Sequence, residues 1–181
     1  MLGKRKFEQQ AVRFNSKSKE ARQLSNFYES EVVVRNVAYP SGEHAFHGLK
    51  FAAAARVAMS RNQARAEMLR KQSDKFAVPS ALATALDAKR QGGKKACALQ
   101  PEEIADWLLT SCDAQAEICK AKLLNTSVSE TLYATGSALL VHQDNRAKAS
   151  TIWGARISKE DGSLIGQNKL GEMWTTAREN L

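Results

Sequence analysis

The chain has 181 residues, 43% of them apolar and 25% charged, which is typical of a globular protein and sufficient for one domain with a sizeable core. No window approaches about 18 uninterrupted apolar residues, so no membrane span is predicted, and the charged amino terminus lacks the apolar stretch of a secretory signal. The net charge of +8 is uneven, with +5 over residues 1–22 and +7 over residues 56–95. These stretches favour an anionic ligand, although a solvated helical surface would look the same.

Cysteine and histidine content argues against a metal site. The chain has an odd number of cysteines and no CxxC pair, which disfavours a disulfide framework and a four-cysteine zinc site; the three are Cys97, Cys112 and Cys119. His44 and His47 have a spacing that a metal can use, but the chain has three histidines in all and no acidic partner motif follows. We expect a cytoplasmic protein with free thiols and predict no metal, no cofactor and no membrane partner.

Local patterns predict a predominantly helical α+β fold with a few short strands. Residues 1–12 resemble a basic, flexible tail ahead of a single domain over residues 13–181. Ser41 suits a helix N-cap after the break at Tyr39-Pro40, and Pro101 suits the first position of a long helix. Extended segments are predicted at 13–16, 31–39 and 138–142, and helices at 43–59, 62–71, 80–89, 101–122, 127–135 and 169–179, the fifth opened by a capping box at Ser127.

The helix after Ser41 carries three groups capable of chemistry on one face. At 100° per residue, Glu43, His47 and Lys50 lie within about 60° of one another. A carboxylate, an imidazole and an ammonium in a row suit acid–base or electrostatic catalysis, but they equally suit the solvated face of an amphipathic helix. The turn that directly precedes this face favours a functional role.

The carboxyl-terminal third contains a second group of candidate residues. Trp153 beside Gly154 suits a flat ring against a ligand that the backbone approaches closely, and Asn168 between glycines suits a turn or a contact with a base edge. A loop with a partly packed tryptophan is an equally good explanation. Common catalytic signatures such as GxSxG, HExxH and the P-loop are absent from the sequence.

Short motifs spread along the chain together resemble the NADAR superfamily, also called YbiA-like. They occur in the family's order over roughly residues 14 to 178. The resemblance implies a compact, mainly helical α+β fold and N-glycosidase chemistry on ribosides, acting on early riboflavin-pathway intermediates or on ADP-ribosylated guanine. The motifs are Leu24-Ser-Asn-Phe27, Tyr39-Pro-Ser-Gly-Glu-His44, Phe46, Lys50-Phe51, Trp107, Thr135-Gly136, Ile152-Trp-Gly154 and Gly166-x-Asn168-x-Leu-Gly171.

Three positions depart from the riboflavin-type branch of that family. His47 stands where that branch has glutamine, His142 where it has glutamate, and Ser150 where it has aspartate. The run from His142 to Lys148 is similar to a branch found among large DNA viruses, phages and some eukaryotes, and within it Asp144 is a candidate for a displaced carboxylate. These departures favour ADP-ribosylated guanine in nucleic acid over a riboflavin precursor.

The resemblance also implies roles for individual residues. Glu43 would stabilise the cationic sugar, and Lys50 would assist the leaving base or form a Schiff base with the opened sugar. The expected substrate is a phosphorylated riboside or an ADP-ribosylated nucleotide, free or attached to DNA or RNA. Two alternatives remain open, a non-catalytic module that binds ADP-ribose or NAD and a basic nucleic-acid-binding protein. The residues predicted to contact substrate are Asn26, Phe27, His44, His47, Asp144, Trp153, Gly154 and Asn168.

Overall fold

A computed structural model of the chain describes residues 10–181, which contain six α-helices and six short strands. This confirms the predicted fold class, a predominantly helical α+β single domain. The helices are α1 Gly42–Met59, α2 Gln63–Asp74, α3 Ala85–Gln91, α4 Pro101–Lys122, α5 Thr126–Ala134 and α6 Lys169–Glu179. The strands are β1 Ala11–Phe14, β2 Glu29–Val34, β3 Val37–Ser41, β4 Leu139–His142, β5 Arg156–Ile157 and β6 Leu164–Ile165, and a 3₁₀ turn covers Arg22–Leu24.

The predicted tail falls mostly outside the described part of the chain. Of residues 1–12, the structure describes 10–12, and β1 already begins at Ala11. Within residues 10–181, none of the helices combines the length and the apolar character needed to cross a lipid bilayer.

An antiparallel hairpin replaces the single strand predicted over residues 31–39. β2 pairs with β3, and the turn between them places Arg35 and Asn36 at φ values of 52° and 64°. Asparagine tolerates this left-handed conformation, and two successive residues of positive φ form the turn whose twist suits a tight hairpin. The hairpin ends at Ser41 and so leads directly into α1.

A parallel pair of strands joins the first strand of the fold to the carboxyl-terminal third of the chain. β1 pairs with β4, with Phe14 opposite His142, and an isolated bridge joins Gln143 to Ala155 just beyond. The short hairpin of β5 and β6 follows. The sequence predicts β4, but strands of two residues such as β5 and β6 are too short to show an alternating pattern.

Capping side chains explain two helix starts that differ from the prediction. α3 begins at Ala85 instead of Ser80, because the Thr84 side chain accepts a hydrogen bond from the Asp87 backbone N–H at 3.2 Å. α5 begins ahead of Ser127, because Asn125 Oδ1 accepts from the Ser127 N–H at 3.1 Å and takes the N-cap position. The predicted limits of α4 and α6 are confirmed.

Two apolar clusters form the core. In the first, α1, α2 and α4 pack with the β2–β3 hairpin around Phe51 and Phe76. In the second, β1, β4, α5 and α6 pack around Trp174, whose indole N–H donates to the Leu24 backbone oxygen at 2.8 Å. The cavity described below is lined by residues at the edges of both clusters.

A buried lysine connects α4 to the loop that precedes β2. Lys122 is fully buried, and its ammonium donates to the Ser25 backbone oxygen at 3.0 Å and lies 5.6 Å from the centre of the Tyr28 ring. Burial lowers the pKa of Lys122 to about 8. The lysine therefore anchors Ser25, which borders the cavity, at a cost in solvation of its charge.

The free energy of unfolding should increase between about pH 8 and 10.5 because of the lowered pKa of Lys122. In this range the unfolded chain still binds the proton while the folded chain has released it, so the cost of burying the charge disappears as pH increases. We expect the Lys122→Met variant to lack this dependence, so that its free energy of unfolding relative to the wild type falls by on the order of 3 kcal/mol across the range. Denaturant unfolding at several pH values measures the difference. Lys120→Met, at an exposed position of the same helix, is the control, and curves for Lys122→Met parallel to the wild type would contradict the prediction.

Candidate active site

A cavity of about 660 Å³ opens between the amino end of α1 and the carboxyl end of β4. Its walls come from the segment after β1, the loop before β2, the first turns of α1, single residues of α3 and α4, and the chain between β4 and α6. Seven of the ten residues predicted from the sequence line it, namely Asn26, Phe27, Glu43, His47, Asp144, Trp153 and Gly154.

Glu43 and His47 form one wall of the cavity from consecutive turns of α1. The Ser41 side chain caps this helix, which places Glu43 in its first turn. Glu43 Oε1 lies 3.4 Å from His47 Nε2, and each of the two side chains is 12% exposed. Burial lowers the pKa of His47 below the usual value, against a smaller opposite effect of Glu43. His47 is thus neutral at neutral pH, and Glu43 provides the acidic group in this wall.

A pair of amides fixes the backbone beside Glu43. Asn26 and Gln115 exchange two hydrogen bonds, of 2.8 and 3.1 Å, and the Asn26 backbone oxygen accepts from the Glu43 N–H at 2.9 Å. Gln115 is buried in α4 and was not among the predicted residues. Its signal in the sequence is a polar residue within the stripe from Trp107 to Lys122 that faces the core.

Aromatic rings form another part of the lining. The Phe46 ring meets Trp107 and Trp153 edge to face, at centroid distances of 5.1 and 5.3 Å. Trp153 is half-buried and lines the cavity. Gly154 follows it where a Cβ would lie 2.8 Å from the His142 backbone oxygen, so only glycine lets this segment approach β4 so closely. The wall offers a flat apolar surface suited to a base.

His142, the last residue of β4, also lines the cavity. Its ring stacks on Phe14 at 5.3 Å, and its Nδ1 lies 3.2 Å from the Trp153 backbone oxygen. Burial lowers the pKa of His142, and the contact with Trp153 opposes that shift in part. The sequence comparison singled out this position as a departure but did not include it among the site residues.

Exposed cations surround the mouth of the cavity. Lys17, Lys89 and Arg146 all line it, and the Lys89 ammonium lies 5.2 Å from the centre of the Phe27 ring. Asp144 is the acidic group of this rim, and its Oδ1 accepts from the Arg146 N–H at 2.9 Å. The rim therefore suits an anionic part of a ligand.

Two of the predicted substrate contacts are structural instead. His44 is fully buried, with Nδ1 2.8 Å from Ser41 Oγ and Nε2 3.2 Å from the Leu82 backbone oxygen, so both nitrogens are occupied away from the cavity. Asn168 is buried at a φ of 52° and bridges β4, accepting from the His142 N–H at 2.9 Å and donating to the Leu140 oxygen at 2.8 Å. The prediction that these two side chains contact substrate is corrected accordingly.

Lys50 lies behind the cavity and is not part of its lining. Its ammonium donates to the Gly92 backbone oxygen at the end of α3, and burial lowers its pKa. Lys50 interacts electrostatically with both Glu43 and His47. A Cβ at Gly92 would overlap the His47 ring, so Lys50 holds backbone that packs directly against that ring.

Within residues 10–181 the structure holds no group of three or more His, Cys, Asp or Glu residues able to bind a metal ion. His44 and His47, whose spacing suggested such a site, have separate surroundings. The ring nitrogens of His44 are bonded to Ser41 and Leu82, whereas His47 packs beside Glu43.

Comparison with known proteins gives the family. The family model of the NADAR domain matches residues 13–181. The chain belongs to the NADAR family. This NADAR region contains every residue that lines the cavity. The NMR structure of the E. coli protein YbiA is similar to the chain in fold, with a TM-score of 0.62, 22% sequence identity, and coverage of 95% of this chain and 84% of YbiA. None of the curated proteins matches the NADAR chain.

Proposed function

We propose that the chain is an N-glycosidase that hydrolyses the bond between a base and the ribose of a ribosylated or ADP-ribosylated substrate. The observation that carries the proposal is the position of Glu43, a largely buried acidic side chain that lines the same cavity as the aromatic rings of Phe46 and Trp153. N-glycosidase chemistry needs these two elements, a carboxylate near the anomeric carbon and a surface that holds the base.

The proposed reaction proceeds through a cationic sugar. As the glycosidic bond breaks, positive charge develops at the anomeric carbon and the electron pair leaves with the base. The carboxylate of Glu43 stabilises this cation, an effect worth several kcal/mol where water is excluded. Trp153 stacks on the base. Lys50, whose ammonium is held by the Gly92 carbonyl behind the cavity, acts through its charge on Glu43 and His47; to assist the departing base or attack the opened sugar aldehyde, its side chain would have to leave Gly92 and enter the cavity. Gly154 lines the cavity beside Trp153, and Phe27 lines it beside the rim cation Lys89.

The dimensions and charge of the site support a nucleotide-sized anionic substrate. A volume of about 660 Å³ is within the common range of small-molecule sites. The rim cations Lys17, Lys89 and Arg146 suit a diphosphate, such as that of ADP-ribose, at the mouth of the cavity. Guanine-linked ADP-ribose in DNA or RNA is therefore the favoured substrate, ahead of a riboflavin precursor with one phosphate.

Substrate preference should depend on ionic strength. We expect guanine-linked ADP-ribose in DNA or RNA to have a higher kcat/KM than any riboflavin precursor at low salt. The preference should shrink as salt rises, because exposed charges are screened over about 10 Å at 0.1 M. Lys89→Gln and Arg146→Gln should each reduce the preference severalfold, whereas Lys71→Gln, at an exposed position of α2 away from the cavity, should not. A higher kcat/KM for the riboflavin precursor at low salt would reverse the choice of substrate.

Mass spectrometry of the products from a panel of ADP-ribosylated nucleosides and riboflavin precursors tests the proposed function. Release of a free base or an unmodified nucleoside supports it. Tight binding of ADP-ribose by calorimetry, with no product over a day, would instead identify a binding module. Salt-sensitive binding of unmodified DNA or RNA without hydrolysis, weakened by deletion of residues 1–10, would identify a nucleic-acid-binding protein.

A further inference from the structure

We propose that His142 is the general base that removes a proton from the attacking water. The proposal rests on the N-glycosidase function above and adds a residue to it. His142 lines the cavity that Glu43 also lines, from a different element of the fold. Glu43 then acts on the charge of the sugar, and His142 acts on the nucleophile.

The surroundings of His142 fix both its position and its tautomer. Its backbone N–H donates to Asn168, its backbone oxygen accepts from Ala155, and its ring stacks on Phe14. Nδ1 lies 3.2 Å from the Trp153 backbone oxygen, which can only accept, so Nδ1 carries the proton. The neutral ring therefore has its lone pair on Nε2, which makes no hydrogen bond to any residue in the described part of the chain.

The electrostatics keep that lone pair available near neutral pH. Burial is the main influence on the ring and lowers the pKa of His142. Glu43 and Asp144 favour the protonated ring, Lys89 opposes it, and the Trp153 carbonyl favours it through the hydrogen bond. The net effect is a neutral imidazole at pH 7, which is the form that accepts a proton.

His47, the other histidine in the cavity wall, is less suited to this role. Both of its ring nitrogens are buried and make no hydrogen bond within the described residues, and Nε2 lies beside Glu43 without hydrogen-bond geometry. A water attacking the sugar needs a base that it can reach. His142 lines the cavity with one ring nitrogen anchored, and its other nitrogen has no hydrogen bond within the described residues and is not among their buried unpartnered atoms, which is the arrangement a general base requires.

The proposed step balances as a hydrolysis. The oxygen of water forms a bond to the anomeric carbon, and one of its protons passes to His142 Nε2. The bond between that carbon and the base nitrogen breaks, and the electron pair stays on the nitrogen. That nitrogen takes up a proton, and His142 returns its own proton to solvent or to the departing base. No oxidant, reductant or metal ion takes part.

Kinetics of His142→Asn test the assignment. Asparagine retains a short polar side chain but no basic nitrogen, so we expect kcat to fall by about 100-fold or more while KM changes little. In the wild type, kcat/KM should decrease at acid pH with an apparent pKa below 6.5, the usual value for histidine. This decrease, the acid limb of the pH profile, should be absent in the variant. Added imidazole should restore part of the activity of His142→Ala, because it can occupy the vacated space. A purely structural role would give neither the pH change nor the rescue.

The outcomes separate this inference from the proposed function. If the wild type cleaves none of the panel, both fail. If the wild type is active and His142→Asn retains its kcat and its acid limb, the role of His142 alone is wrong. Should the variants not fold, ¹⁵N NMR of the wild-type ring at pH 7 decides: a proton on Nδ1 with a free Nε2 supports the assignment, and a proton on Nε2 overturns it.

Discussion

Replacing Glu43 with glutamine is expected to lower kcat for cleavage of an ADP-ribosylated or ribosylated base by at least about 100-fold. Glutamine has nearly the same shape but no charge, so the cationic sugar loses the carboxylate that stabilises it. The ground-state substrate is not cationic, and KM should therefore change little. The measurement is the initial rate of product formation under saturating substrate for both proteins.

The control for this variant is Glu130→Gln, which changes an exposed glutamate of α5 outside the cavity. It should retain the wild-type rate. Melting temperatures and ADP-ribose affinities of Glu43→Gln close to those of the wild type would establish that the fold and the cavity are intact. A wild-type kcat in a folded Glu43→Gln protein would contradict the proposed role of Glu43 in stabilising the cationic sugar.

Removing the Lys50 side chain should have an effect of similar size. The sequence predicts a loss of at least about 100-fold for Lys50→Ala, and the structure places this ammonium in electrostatic contact with Glu43 and His47. Burial lowers the pKa of Lys50, which increases the fraction of unprotonated amine, the form that can attack an aldehyde once the side chain leaves Gly92. Lys50→Ala also releases the Gly92 backbone that packs on His47. Steady-state rates measure the loss.

Two comparisons separate the chemistry of Lys50 from its support of Gly92. Lys50→Arg keeps a cation and a donor but has no readily deprotonated amine, so it should recover stability without recovering the full rate. Borohydride added during turnover should trap a covalent adduct in the wild type if the amine forms a Schiff base. Lys71→Ala, an exposed lysine of α2, is the control. Wild-type activity in Lys50→Ala would show that neither role matters.

Local rules were sufficient for most helices of the fold. The Ser41 cap, the proline at the start of α4 and the amphipathic pattern of α6 are short-range signals, and the helices occur at these places. The hairpin turn at Arg35 and Asn36 was missed because its positive φ values depend on how the flanking strands pair. The predicted starts of α3 and α5 differ from the structure because the side chains of Thr84 and Asn125 cap these two helices.

In the candidate site, too, local sequence patterns predicted some residues, and tertiary packing determines the others. Helical periodicity was enough to place Glu43 and His47 together, because they are one turn apart on α1. It also placed Lys50 on that face, but the long side chain turns to the Gly92 carbonyl, a contact between α1 and the end of α3 that periodicity does not contain. Gln115 and Lys89 reach the cavity through tertiary packing, and no local pattern marks such residues as ligands.

Identification of both products from an ADP-ribosylated guanine nucleoside tests the central claim most directly. Wild-type protein and Glu43→Gln would be incubated with the same substrate, and both halves followed by liquid chromatography and mass spectrometry. Hydrolysis of the N-glycosidic bond predicts unmodified nucleoside and intact ADP-ribose in equal amounts from the wild type, with at least about 100-fold less from the variant. AMP and a phosphoribosylated nucleoside, which report cleavage of the diphosphate, or equal yields from the two proteins, would contradict it.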